Sequence, residues 1–564
     1  MNQLKDEVAM ESLQGTPVVG GIAYGPVIRA GERIGAAGDL ETRTEVDEAD
    51  RDAEQARFTA AAAAVAARLR DRASHASGAA AEVLIATAGL AEDRGWTGAV
   101  AKRIADGAPA ALAATGATAQ FAEMFTALGG VMAERVTDLE DVRDRVIAEV
   151  LGLPEPGVPV PESPSVLFAD DLAPADTAGL DPALVTALVT RLGGPTSHTA
   201  IIARQLGIPC VVAVAGLDAV AAGTTVLVDG TAGSVEIDPE PTAARAAVAE
   251  SRRQAEVVAA WSGPGRTADG HEVAALANVA DGVSARAATG YPVEGIGLFR
   301  TELTFLDRAD EPTVDEQVVL YREVIDAFPG GKVVIRTLDA GSDKPLRFVD
   351  HGAEANPALG IRGNRLTATH PEIRTNQLDA IARAAEESGA TARVMAPMIA
   401  GPAEAADFAA EVRSRGMIAG VMIEIPSAAI LASAVLAEVD FVSIGTNDLT
   451  QYTMAADRMS AELAELTDPW QPAVLHLIEG VARAGADAGK PVGVCGEAAA
   501  DPLLACVLVG MGVSSLSSAP VAAAAVGARL GQVSLAQCRD AARAALATSE
   551  AAAARAAAAA VLAG

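Results

Sequence analysis

Hydrophobic spacing changes regime along the 564-residue chain. A loose polar tail over 1–16 is followed by TPVVGGIAYGPVIRA (16–30), where small and β-branched residues alternate around glycines and predict short strands. From about Leu40 to Leu151 the period becomes helical. Long Ala-rich stretches carry charges at helical spacing, as in VDEADRDAEQARFTAAAAAVAARLRDR (46–72), which predicts a helical bundle. A Pro-rich stretch, LGLPEPGVPVPESPSV (151–166), marks a boundary. Short β runs then return: VLFADDL, LVTALVT, CVVAVAG and TTVLVDGTAGSVEIDP. Strands on both sides of the helices predict an α/β domain with a helical domain inserted into it. TAARAAVAESRRQAEVVAAW (242–261) reads as a connecting helix.

Beyond about residue 270, strand and helix patterns alternate to near 540. VAALANV, GIGLFR, VVIRTLD, RVMAPMI, GVMIEIP, FVSIGTND and PVGVCGE are strand candidates, and this alternation suits a (β/α)₈ barrel. The expected organisation is a tail (1–16), an α/β domain (17–35 and 155–240), a helical insertion (36–154), a linker helix (241–266), the barrel (267–540) and an Ala-rich C-terminal tail (541–564), which reads as a helix or a frayed end. Arg300, Arg336, Glu424, Asn447, Asp448 and Cys495 fall at the C-terminal ends of the barrel runs, where such barrels place their chemistry.

Charge and composition narrow the picture. A net charge of −31 excludes the basic footprint that a nucleic-acid surface needs. An anionic substrate would require Arg to be concentrated locally. The four cysteines, Cys210, Cys495, Cys506 and Cys538, show no metal-knuckle or disulfide spacing. Cys210, Cys506 and Cys538 lie in apolar stretches and read as core. Neither a signal-peptide core nor a membrane-length apolar run is found, so a cytoplasmic location is expected.

GGPTSHTAIIARQLGIP (193–209) places His198 at a helix start after a Gly-Pro turn, with Thr196 or Ser197 as the cap. Backbone N–H groups and the helix dipole favour an anion there. An imidazole, with an ordinary pKa of about 6.5, accepts a phosphoryl group near neutral pH. G-G-x-T-S-H-x-A-I-x-A-R resembles the phosphohistidine signature of the phosphoenolpyruvate-utilising enzymes. The resemblance extends to GIGLFRTELTFLDR (295–308), VVIRTLDAGSDKPL (333–346), NPALGIRGNRL (356–366), FVSIGTNDLTQYTMAADR (441–458), GVMIEIPSA (420–428) and PVGVCGEAAADP (491–502).

The resemblance implies that His198 carries the phosphoryl group and that Arg300, Arg336 and Arg458 contact the phosphate. Asn447 and Asp448 contact the substrate, and Glu424 and Asp448 bind Mg²⁺. Cys495 donates a proton to the enolate, while Thr196, Lys344 and Arg362 support the site. Arg suits this substrate because its planar fork binds carboxylate or phosphate with paired hydrogen bonds. Pro195 and Ser342 depart from the family pattern, but neither removes a ligand.

Only some 190 residues precede His198, without a Walker-type loop. This disfavours a nucleotide-dependent dikinase and favours the Enzyme I branch, the phosphoenolpyruvate-protein phosphotransferases. In that branch the helical insertion binds the carrier protein HPr, the first step of sugar uptake, and the barrel forms a homodimer. Transfer between a barrel and a His domain requires a swing, with hinges expected near 151–166 and 240–265.

Overall fold

The computed structural model describes residues 12–31, 43–75, 79–128, 130–159, 161–172, 176, 180–194, 197–306, 308–342, 344–350 and 352–563. Two compact units divide the chain between Gln254 and Ala255.

The first unit begins in a sheet with β1 (Ser12–Gln14), β2 (Thr16–Val19) and β3 (Ile22–Arg29). It leaves for five helices, α1 (Arg51–His75), α2 (Ala79–Ala91), α3 (Arg94–Ala105), α4 (Ala110–Leu128) and α5 (Gly130–Leu151). It then returns with β4 (Ser165–Ala169), β5 (Val185–Thr190), α6 (His198–Leu206), β6 (Cys210–Val212), β7 (Thr225–Asp229) and β8 (Ser234–Ile237). The strands form one mixed sheet in the order β1-β8-β7-β3-β4-β5-β6-β2. Parallel pairing of β3 with β4 joins the two sides of the helical excursion.

The helices have their own core. Phe58, Val65, Leu69, Leu84, Trp96, Val100 and Val146 are buried together. Trp96 packs edge-on against Phe58, and its Nε1 donates to Thr118 Oγ1 at 3.0 Å, so the ring is buried with its polar edge satisfied. The buried Arg145 of α5 bonds Asp141, Glu155 and Asp176, which fastens the helices to the returning chain. The expected N-terminal tail is corrected by β1, whose residues pair antiparallel with β8.

Helix α7 (Pro241–Ala260) spans the boundary between the units. The second unit is a closed parallel barrel of β9 (Ala274–Val279), β10 (Gly295–Arg300), β11 (Lys332–Arg336), β12 (Arg393–Ala396), β13 (Ile418–Ile423), β14 (Phe441–Ile444), β15 (Val492–Val494) and β16 (Ser515–Ser518), where β16 pairs back onto β9. The strands are apolar on both faces because helices cover the outside and side chains fill the lumen. The architecture is thus the multidomain α/β arrangement expected: an α/β domain with inserted helices, followed by a (β/α)₈ barrel.

Two barrel features correct or sharpen the sequence reading. The eighth strand is SLSS, whose serines give no apolar signal. Of the two forms the C-terminal segment could take, it is helical and packed, not frayed. Its helices α8 (Leu535–Leu546) and α9 (Ala551–Leu562) bury Cys538, Ala541, Ala545, Ala554, Ala558 and Leu562 in the main barrel core. Ala at one helical face lets them approach closely, so low side-chain bulk is a packing device here.

Candidate functional site

Five of the strand ends, those of β10, β11, β13, β14 and β15, deliver charged or polar side chains or a thiol to the barrel mouth. Arg300 and Arg336 are the last residues of β10 and β11. Glu424 directly follows β13 and Cys495 directly follows β15. After β14 the chain turns through Gly445 into the helix Thr446–Met454, which carries Asn447 and Asp448 in its first turn. These residues, with Lys344 and Arg458, line one cavity of about 680 Å³.

The cavity floor is an ion-pair lattice. The buried Arg336 guanidinium pairs with Glu302 and lies 3.1 Å from Asp339. Arg362 is also buried, and its Nη2 donates to both oxygens of Asp339 at 3.1 and 2.9 Å. Its Nη1 reaches Asp448 Oδ1 at 3.3 Å, and Arg458 approaches the other Asp448 oxygen at 3.6 Å. Two carboxylates therefore sit between three guanidinium groups, and each fixes the orientation of its neighbours.

Electrostatics separates these carboxylates. Burial alone would raise Asp339, but Arg336, Arg362 and Lys344 outweigh it and hold its carboxyl down to about 2. Glu424 is pushed up to about 8, first by burial and then by the charges of Asp339 and Asp448. The N–H of Met398 donates to Glu424 Oε1 at 2.7 Å without offsetting this. Glu424 and Asp448 are thus oxygen donors in one cavity, with Glu424 destabilised as an anion by its carboxylate neighbours, which fits a hard divalent cation that keeps water or substrate as its remaining ligands. Among the described residues, no group of three or more His, Cys, Asp or Glu is placed to hold a metal ion alone.

Cys495 is 2% exposed, and burial pushes its thiol up to about 11 against the opposing effects of a Ser443 hydrogen bond and Arg336. Its Sγ donates to Ile444 O at 3.6 Å. The group is therefore a protonated thiol at neutral pH, suited to give a proton away. Asn447 lines the cavity, with its Oδ1 accepting from Glu497 N at 2.9 Å. Cys210, Cys506 and Cys538 are buried, as expected of core residues.

His198 is the first residue of α6, at the helix start that the sequence pattern predicts. Ser197 is the N-cap, and its Oγ accepts from Ala200 N at 3.3 Å. Gly207 ends the helix at φ 65°, a left-handed conformation that favours glycine. Thr196 lies outside the described residues, as do Pro195 and Asp343. Arg365, on the same motif as Arg362, turns to the carbonyls of Leu359 and Gly360 and does not line the cavity.

Two cavity residues escaped sequence reading. Glu302 is the main partner of Arg336, and its Oε2 is buried without a hydrogen bond. Thr446 has a buried hydroxyl without a hydrogen-bond partner on the cavity wall. A carboxylate two residues beyond a strand-end Arg, and a hydroxyl beside Asn-Asp, were the available signals.

The chain matches the family description "PEP-utilising enzyme, PEP-binding domain" over residues 254–535, "mobile domain" over 161–233 and "N-terminal" over 14–135. It is 48% identical to a phosphoenolpyruvate-protein phosphotransferase of Streptomyces coelicolor, covering 98% of this chain and 99% of that one. Phosphotransferases of the same description from Haloferax volcanii and Staphylococcus carnosus are 39% and 40% identical. The first alignment covers 79% of this chain and 80% of the relative, the second 72% and 74%.

Proposed function

From the premise that this chain belongs to the phosphoenolpyruvate-protein phosphotransferases, we propose that it moves the phosphoryl group of phosphoenolpyruvate to His198 and then to a histidine of an HPr-type carrier, the first step of sugar uptake. The observation that supports the donor half is the single cavity gathering Arg300, Arg336, Lys344 and Arg458 with Asn447, Asp448 and Cys495.

In this reading Arg300, Arg336 and Arg458 bind the phosphate. Arg362 and Lys344 hold Asp339 ionised, and thereby keep Arg336 in place. Asn447 and the backbone at Asp448 orient the substrate, and Thr446 offers a further hydroxyl donor. The P–O bond to the enol oxygen breaks, its electron pair stays on that oxygen, and phosphorus bonds to the His198 imidazole. Charge neutralisation and positioning dominate such transfers. The family uses Mg²⁺ in general; here Glu424 and Asp448 would hold it, and it would supply charge neutralisation at the phosphate. Cys495 then gives its thiol proton to carbon, which yields pyruvate.

The cavity lies in the second unit and His198 in the first, so transfer requires the reacting atoms to come within about 3 Å. The Ser197-capped start of α6 supports a phosphorylated His198, because unpaired helix N–H groups stabilise an anion. The helices Arg51–Leu151 are proposed as the carrier-binding part, and the barrel as the dimer contact. A cytoplasmic location accords with the absence, among the described residues, of any helix long and apolar enough to cross a membrane.

The test is incubation with labelled phosphoenolpyruvate and Mg²⁺ without nucleotide. Acid-labile, base-stable label is expected on the protein and should pass to added HPr. Label that survives His198→Ala, or that requires ATP, would overturn the reading.

A further inference from the structure

The main chain of Cys495 is held from two sides of the barrel. Its N–H donates to Ile444 O on the neighbouring strand β14 at 3.0 Å. Its carbonyl accepts from Asn278 Nδ2 at 3.2 Å. Asn278 belongs to β9, which is not a neighbour of β15, since β16 lies between them. The bond therefore passes over β16, and β16 contributes to it. The Ser517 hydroxyl lies 2.6 Å from Asn278 Oδ1 and 3.2 Å from Ala277 O.

This order settles the amide orientation. Cys495 O can only accept, so Nδ2, the donor, faces it, and Oδ1 is left to accept from the Ser517 hydroxyl. Gly297 on β10 makes the room, because a Cβ there would stand 2.6 Å from Ser517 Cβ. Barrel lumens are ordinarily filled by layers of branched apolar side chains. Here an amide bonds the carbonyl of Cys495, a cavity-lining residue, and a hydroxyl braces that amide from β16. The sulfur itself donates to Ile444 O at 3.6 Å, the same carbonyl that accepts from the Cys495 N–H.

We propose that Asn278 and Ser517 are positioning residues that fix Cys495 so that its thiol meets the enolate from one face only. The inference rests on the reading of Cys495 as the proton donor. In that step the S–H bond breaks and its proton forms the new bond at C3 with the π electrons of the enolate. The enolate oxygen becomes the ketone oxygen, and the S–H electron pair stays on sulfur. Water returns a proton to the thiolate. Enol that leaves unprotonated becomes ketone in solution, where both faces are open.

Phosphoenolpyruvate bearing deuterium at one geometric position of C3, turned over in tritiated water, records the face of protonation in the configuration of the pyruvate methyl group. Phosphoenzyme yield is measured in the same samples. The wild-type chain is expected to give one configuration. Asn278→Ala and Ser517→Ala are expected to give mixed configurations, out of proportion to any fall in phosphoenzyme. Asn278→Asp keeps the shape and removes the donor, so it should behave alike even if the alanine variant folds poorly. A merely structural role would lower both yields and keep the configuration. Cys495→Ala separates the two ideas. If it loses the configuration while the Asn278 and Ser517 variants keep it, the positioning inference fails alone. If Cys495→Ala keeps a single configuration, the proton-donor reading fails and the inference with it.

Discussion

Asp339 shows how one carboxylate organises the cavity. It accepts from Arg362 and lies against Arg336, and it is almost fully buried. Its carboxyl is held below the ordinary 3.8, at about 2, so the fold favours the ionised form. The sign of the pH effect follows. The contribution to stability is complete above the unfolded value and is lost as pH falls through about 2. Loss of stability between about pH 4 and pH 2 is therefore expected for the barrel, read by denaturant titration at several pH values. Asp339→Asn should be less stable at neutral pH, because two buried guanidinium groups lose a charged partner. It should also show a flatter profile over the acid range. An unchanged acid slope in that variant would place the effect elsewhere.

At the scale of elements, legibility followed chemistry that repeats in the local pattern. Strand ends with Arg, Glu, Asn or Cys could be read because a charged or polar residue closes an apolar run. Strand β16 could not, since SLSS has no alternation and its burial comes from closing the ring against β9. The roles of Glu302 and Asn278 depend on partners 34 and 217 residues away, and only Glu302, two residues beyond Arg300, carries a local signal. The packing of the C-terminal helices onto the barrel has no clear sequence signal because Ala carries little hydrophobicity per residue, yet close approach buries it fully. Gly510 marks that approach: a Cβ there would collide with the backbone carbonyl of Cys538 on α8. Gly510→Ala is expected to cost about 1–3 kcal/mol through overpacking, seen as a lower barrel melting temperature. A variant as stable as the parent would show that α8 can move away freely.

The whole molecule carries a net charge of −31, and its cavity sets Arg300, Arg336, Lys344 and Arg458 among the carboxylates of Glu302, Asp339, Glu424, Asp448 and Glu497, so the positive charge an anion needs comes from individually placed groups and not from a global field. The two units also have separate hydrophobic cores: the barrel core on one side, the helical and sheet cores on the other. Separate cores predict separate cooperative transitions in calorimetry, because a single two-state step belongs to a single core. The substrate cavity is built from barrel residues alone. Ligand that binds only the folded barrel stabilises it by about 2.7 kcal/mol at a hundredfold excess over Kd, a shift on the order of 5 °C or less for a unit of this size. In the His198→Ala chain, which blocks turnover, phosphoenolpyruvate with Mg²⁺ should raise one transition and leave the other in place. Chelating the metal should reverse much of that rise, since the repulsion of Glu424 by Asp339 and Asp448 would again be only partly offset by Arg336. If both transitions moved together, the substrate would be stabilising the two units jointly, and a donor site confined to the barrel would have to be abandoned.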